Sequence, residues 1–178
     1  MQAQKQSDSK SVWRLDSAHS SVEFTAKKFL VFTVKGRLTD LEGAIVLDEN
    51  SVSGSSVQAS IGAASIDTGN KRRDTQLTSV TFLDASSYQQ IRFESSNVAH
   101  GRDRDMLRVE GSLTIKGKSR DVVLDVTEVD RSKAPSGEEV IYYVAETELD
   151  RNDFGVSAWR GVIAPKVKVV INVQANRV

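Results

Sequence analysis

Residues Leu107 to Gly117 read LRVEGSLTIKG, and the alternation within them decides the fold class. Leu107, Val109, Gly111, Leu113 and Ile115 occupy one phase, and Arg108, Glu110, Ser112, Thr114 and Lys116 the other. A period of two is that of a β-strand, whose successive side chains leave on opposite faces. One dry face and one wetted face is the pattern of an antiparallel sheet, not of a parallel sheet covered on both sides.

The same alternation extends outward from this stretch. SSVEFTA sets Val22, Phe24 and Ala26 against Glu23 and Thr25, and VKVVINVQA keeps Val167, Val169, Ile171 and Val173 in phase. Further runs at 57–63, 91–98, 122–129 and 140–149 bring the expectation to about eight or nine strands. In VKGRLTDLEGAIVLD the phase of Val34, Gly36 and Leu38 slips by one residue before Leu41, Gly43, Ile45 and Leu47 resume it. A bulge, sharp bend or tight turn is expected at Thr39–Asp40. Turn signals such as ENSVSG, GRDRD and KAPSGEE separate the strands. No repeat is visible that would indicate a propeller or solenoid. Gly36, Gly43 and Gly111 fall on the inward phase, as suits a curved wall. Strands of this kind close into a barrel or fold into a sandwich, and an eight-stranded barrel is wide enough for its own side chains or for one small ligand.

The chain has 178 residues, which suits one domain. We expect a polar, disordered tail over 1–11 and a barrel domain over 12–178. With 24 basic and 24 acidic residues the net charge is zero, so no long-range positive field gathers nucleic acid or an anionic membrane surface. Cysteine is absent and histidine numbers two, which removes disulfide scaffolds, thiolate metal sites and cysteine nucleophiles. No metal site is expected. No segment approaches the length of apolar chain that a membrane span requires, so stable membrane insertion is not expected. The opening MQAQKQSDSK has no apolar export signal. The chain as written therefore reads as cytoplasmic, and a trimmed precursor of an exported protein would read the same.

Candidate chemical groups are few. His19 lies in DSAHSS beside Asp16, Ser17, Ser20 and Ser21, but neighbours entering one strand point to opposite faces and do not converge as a triad does. A polar turn capping a strand is the expected role. His100 precedes a turn and is expected in solvent. Asp150 and Asp153 flank Arg151 in ELDRNDFG, where a turn with surface ion pairs is expected in preference to acid–base catalysis. The stretch IDTGNKRRDTQLTSVTF, Ile66 to Phe82, interrupts the strands. Thr68 or Asn70 can cap a short helix near 70–79, with Lys71, Arg72, Arg73, Asp74 and Gln76 polar and Leu77, Val80 and Phe82 as apolar anchors. One glycine, Gly69, does not make a phosphate loop. The segment is a solvated crossover or a gate over something hollow.

The blocks DSAHSSVEFTAKKF, VKGRLTDLEG, SIDTGNKRRDTQLTSVTFLD, YQQIRFES, VEGSLTIKG and LDRNDFGV occur in this order. Together they closely resemble the YceI-like family of bacterial polyisoprenoid-binding proteins, from about Trp13 to Ala175. The resemblance implies an all-β fold, an antiparallel lipocalin-like barrel with the helical segment beside it. It implies that Arg73, Asp74 and Leu77 fill the family's R-D-x-x-L pattern, with Arg73 and Asp74 pairing to fix the segment. Lys28-Phe29, Gln76 and Lys116 stand where histidine-bearing motifs are frequent in the family, at positions suited to contacting a head group.

The function this implies is non-enzymatic: binding, sequestration or transport of a polyisoprenoid, a prenyl quinone or a similar long amphiphile. No other cofactor and no nucleic acid is implied, and a homodimer stays open. The candidate wall, chosen partly by inward phase and partly by the family blocks, is Phe24, Phe29, Leu30, Phe32, Leu38, Leu77, Phe82, Phe93, Leu113, Ile115, Phe154 and Trp159. Two rivals remain: an enzyme acting on a lipid through His19 or the Asp150–Asp153 pair, and a filled barrel whose outer surface binds a protein.

Overall fold

A computed structural model of the chain describes residues 9–178. Most of the expected tail over 1–11 lies outside the described residues, but Lys10 and Ser11 belong to the first strand. The strands are β1 (Lys10–Leu15), β2 (Ser21–Lys28), β3 (Phe32–Leu38), β4 (Leu41–Asp48), β5 (Ser56–Gly62), β6 (Gln90–His100), β7 (Met106–Ile115), β8 (Lys118–Lys133), β9 (Glu139–Asp150) and β10 (Ile163–Arg177). Among the described residues the α-helical segment is α1 (Lys71–Thr78).

All pairings between these strands are antiparallel, in the order β1-β4-β5-β6-β7-β8-β9-β10-β2-β3. The sheet closes because β10 pairs with both β2 (Ile171↔Val22) and β1 (Ala175↔Leu15). β1 and β2 are therefore two parts of one stave, interrupted by a short 3-10 turn at Ser17–His19. β3 and β4 form a second, which pairs with the first through Val22↔Leu38 and Trp13↔Ile45. The ten strands thus make a closed barrel of eight staves.

The phase slip in VKGRLTDLEGAIVLD falls at the break between β3 and β4. Leu38 and Leu41 are both buried, so the chain bends to return its apolar side inward after two exposed residues. The Ser65 hydroxyl accepts hydrogen bonds from the freed amides of Thr39 (3.2 Å) and Asp40 (3.3 Å) and donates to Gly62 O (2.6 Å). A side chain thereby replaces the ladder bonds lost at the bend.

The antiparallel order places the β2–β3 hairpin tip, the β5–β6 connection containing α1, the β7–β8 turn and the β9–β10 connection at one end, the rim. At the opposite end, Arg131 of β8 reaches Glu49 (2.6 Å) and Glu128 (2.8 Å) and lies 5.9 Å from the centre of the Trp13 ring. Trp13 is 2% exposed and closes that end from within. Apolar phases face inward and charged phases outward, the reverse of a membrane-spanning barrel with its apolar band on the lipid side. No helix among the described residues is long and apolar enough to cross a membrane.

Candidate ligand cavity

β7 presents Leu107, Val109, Leu113 and Ile115 to the interior, as its alternation requires. Val122, Leu124 and Val126 of β8 and Val167, Val169, Ile171 and Val173 of β10 do the same. These side chains do not meet in the middle. They enclose a cavity of about 540 Å³ that runs from Leu47, Ser55 and Val98 toward the closed end to Lys28, Arg72 and Trp159 at the rim. That volume lies within the range of small-molecule pockets. Part of the width is kept by glycine. A Cβ on Gly111 would stand 2.6 Å from Phe93 Cζ, and one on Gly36 would stand 2.3 Å from Phe24 Cζ, so the outer edge of each ring takes the place a side chain would need.

The rim is covered by the Ile66–Phe82 insertion. Asn70 is the N-cap of α1, its side chain accepting from Arg73 N at 3.1 Å. Arg73 and Asp74 do not pair with each other as expected, because both are committed to Thr68. Asp74 Oδ1 accepts from Thr68 N (2.9 Å) and Thr68 Oγ1 (2.6 Å), while Arg73 donates to Thr68 Oγ1 (2.9 Å) and Thr68 O (3.1 Å). The helix is thus tied to the extended chain before it. Leu77 and Leu83 face the cavity, and Phe82 is buried beneath Trp159, the two rings 6.2 Å apart at 68°. Val80, expected as a third anchor, is instead 69% exposed because it sits on the outer side of the turn after α1. Lys116 reaches across to donate to Val80 O at 3.0 Å.

The other cover is the β9–β10 connection, centred on Arg151. The expected surface ion pairs are not formed there: Arg151 is buried, and its guanidinium donates to Val156 O (2.6 Å), Ala158 O (2.8 Å), Ile163 O (2.9 Å) and Ala164 O (3.2 Å). Burial pulls its pKa below the ordinary arginine value, Asp150 opposes that pull, and Arg160 adds to it. Asp150 caps the 3-10 turn that follows by accepting from Asn152 N at 2.9 Å.

Nine of the twelve candidate wall residues border the cavity: Phe24, Leu38, Leu77, Phe82, Phe93, Leu113, Ile115, Phe154 and Trp159. Phe29, Leu30 and Phe32 do not. They project from the β2–β3 tip beyond the end of the wall, at 55%, 88% and 62% exposure. Leu30 and Phe32 share the even-numbered phase of Phe24 and Val34, while Phe29 stands on the other phase and enters through the family block DSAHSSVEFTAKKF; Phe29 (φ 52°) and Leu30 (φ 64°) turn the chain over at the tip. Thr68, read as a possible cap, instead joins Asp74 to Arg73, and Arg151, read as one partner in a surface turn, instead holds the connection from within; Tyr143 drew no reading from the sequence. The Tyr143 side chain borders the cavity, and burial, its largest cause, pushes the phenol above its ordinary pKa.

The remaining titratable candidates stay apart from the cavity. His19 is an exposed member of a knot between β1 and β2: Asp16 accepts from Ala18 N (3.0 Å) and bonds His19 Nδ1 (2.8 Å), while Ser20 Oγ bonds the Gln174 backbone. His100 and Asp153 are exposed. The charged groups that do border the cavity are cationic: Lys27, Lys28, Arg72, Arg73 and Arg151. Arg151 is satisfied by carbonyls, Arg73 by Thr68, and Lys27 donates to Thr33 Oγ1 at 2.5 Å. Lys28 Nζ stands 5.4 Å from the Trp159 ring centre.

An eight-stave antiparallel barrel, apolar within and covered at one end by a helical segment, belongs to the lipocalin-like class of barrels. Residues 13–175 match the YceI-like domain, and the chain belongs to that family. Protein YceI of Escherichia coli O157:H7 is 27% identical over 159 residues, covering 89% of this chain and 82% of the relative. A UPF0312 protein of Pectobacterium atrosepticum is 28% identical over 162 residues, covering 91% and 83%. Among solved structures, BcnA of Burkholderia cenocepacia superposes with a TM-score of 0.80 at 24% identity, covering 90% of this chain and 98% of that one. A polyisoprenoid-binding domain from Saccharophagus degradans, implicated in plant cell wall breakdown, superposes with a TM-score of 0.69 at 19% identity, covering 93% and 98%. At these identities the two structures speak for the fold.

Proposed function

We propose that the protein is a non-enzymatic carrier that binds a polyisoprenoid, such as a prenyl quinone, or a similar long amphiphile inside the barrel. The observation that carries this reading is the apolar cavity of about 540 Å³ closed at one end and covered at the rim by α1 and Trp159. Apolar chain entering it leaves water at a gain of about 0.8 kcal/mol per methylene, with no reactive group required. A polar head would then lie at the rim, where the cationic lining suits a carbonyl, hydroxyl or anionic oxygen. Membership of the YceI-like family and the polyisoprenoid-binding neighbour support the same ligand class. His19 and Asp153 face solvent and do not converge on the cavity, which supports carriage over lipid chemistry. A wall packed to ordinary core density would have favoured a surface-binding module.

The test is organic extraction of the purified protein followed by mass spectrometry, with uptake of an added prenyl quinone followed by quenching of Trp159 fluorescence. A prenyl lipid in the extract, or saturable quenching, is expected. An extract free of lipid together with no uptake would exclude the carrier.

A further inference from the structure

The β2–β3 hairpin overshoots the barrel. Its last register pair is Lys28↔Phe32, and beyond it Leu30 and Val31 are 88% and 73% exposed. The tip is joined to the β9–β10 connection by Phe29 N donating to Val162 O at 2.7 Å. Lys28 Nζ stands over both Phe29 (5.6 Å) and Trp159 (5.4 Å), so the tip and Trp159 form one apolar patch beside the cavity mouth. Scattered exposed apolar residues are ordinary, but contiguous ones mark an interaction site.

Turn formation does not account for these side chains. Phe29 and Leu30 are consecutive left-handed residues, positions for which hairpin turns select Asn or Gly. Bulky residues there cost stability, and such outliers point to a use for the side chains outside the fold. The charges on the tip and its flanking strand segments are of one sign. From Lys27 to Lys35 the chain reads KKFLVFTVK, with three lysines and no acid. Arg160, exposed on the adjoining connection, adds to them. A two-fold contact between tips would bring like charges together. An anionic lipid surface neutralises them while the apolar tip enters the acyl boundary.

We propose that the β2–β3 tip docks the barrel reversibly on an anionic membrane surface, with the cavity mouth toward the bilayer. Net charge of the whole chain hides this, because the cations are concentrated at the tip and its flanks. Trp159 both adjoins the tip and lines the cavity, giving an apolar path from bilayer to interior.

Sedimentation of the full chain with vesicles tests this directly, using phosphatidylcholine alone and an equal mixture with phosphatidylglycerol. Wild-type protein is expected to partition onto the mixed vesicles, weakly onto phosphatidylcholine, and less as salt rises. Leu30→Asp is expected to lower partition about tenfold or more, and Lys35→Glu several-fold. Neither side chain lines the cavity, so uptake of the apolar fluorophore N-phenyl-1-naphthylamine should not change, and the urea midpoint should not fall, since aspartate tolerates the left-handed backbone at position 30 better than leucine. The proposal is overturned by no wild-type partition, by salt-insensitive partition, or by Leu30→Asp partitioning as wild type. Self-association without vesicle binding, abolished by Leu30→Asp, would assign the tip to a second copy instead. Should Leu30→Asp fail to fold, Lys35→Glu and the salt series decide. Partition is read without reference to what fills the cavity, so failure of docking and failure of the carrier function remain distinguishable.

Discussion

Arg151 holds the β9–β10 connection in place by donating to four backbone carbonyls of the chain between Val156 and Ala164. Removing it leaves those acceptors beside apolar wall, and hydrogen bonds from a charged donor are worth about 1.5–3 kcal/mol each before relaxation. Arg151→Ala should therefore destabilise the protein by about 3 kcal/mol or more in urea titration, and Arg151→Lys, with fewer donors and no fork, should recover only part of that. A loss below about 1 kcal/mol for Arg151→Ala would show that the carbonyls find other partners. Tyr143 has a different signature. Burial raises its pKa, Glu128 adds to the rise, and Arg131 opposes it, so the folded phenol resists ionisation. Its contribution is fully present below the unfolded tyrosine pKa of about 10 and is lost as pH climbs from there toward the folded value. Urea midpoints measured from neutral pH to above pH 10 should fall for the wild type and fall less for Tyr143→Phe. Equal slopes would mean that the hydroxyl reaches solvent through the cavity.

At the scale of elements, α1 depends on Thr68, whose hydroxyl donates to Asp74 and accepts from Arg73. Thr68→Val keeps the shape and deletes both bonds, leaving a carboxylate and a guanidinium short of a partner. A loss of about 1–2 kcal/mol is expected, with faster release of a bound apolar fluorophore because the cover over the cavity is loosened. Unchanged release with the stability loss present would mean that α1 does not gate the cavity. Neither this knot nor the Arg151 cluster was legible in the sequence. Periodicity reports which way a strand residue points, and it recovered the wall of β7 and the bend at Thr39–Asp40. It cannot report which polar groups meet across a loop, since Arg73 and Asp74 are adjacent in sequence yet meet only through Thr68. It also failed where alternation ran on through a turn. In KKFLVFTVK no glycine or asparagine marks the reversal at the β2–β3 tip, so Leu30 and Phe32, in phase with Phe24 and Val34, read as wall, and Phe29 is added to them by the family block that it ends.

For the molecule as a whole, the question is whether the barrel is built around a ligand or around its own side chains. Leu113 decides it well, lying on β7 between Gly111 and Ile115 and opposite Phe93 of β6, with its side chain bordering the cavity. In a filled core the step from leucine to tryptophan forces neighbours off their rotamers at a cost of about 1–3 kcal/mol. In a hollow barrel the indole occupies space already empty in the lipid-free protein, and the cost falls on the ligand. Leu113→Trp should therefore leave the urea stability of lipid-free protein within about 1 kcal/mol of wild type while lowering prenyl quinone uptake about tenfold or more. Linkage supplies the complementary measurement. A ligand that binds only the folded state stabilises it by about 2.7 kcal/mol at a hundred times its dissociation constant. Saturating quinone should raise the urea midpoint of the wild type and leave that of Leu113→Trp nearly where it was. Clear destabilisation of the lipid-free variant would place Leu113 in a packed interior. Undiminished uptake and stabilisation by quinone would mean that the lipid lies along another part of the 540 Å³ cavity, between β10 and the β3–β4 stave.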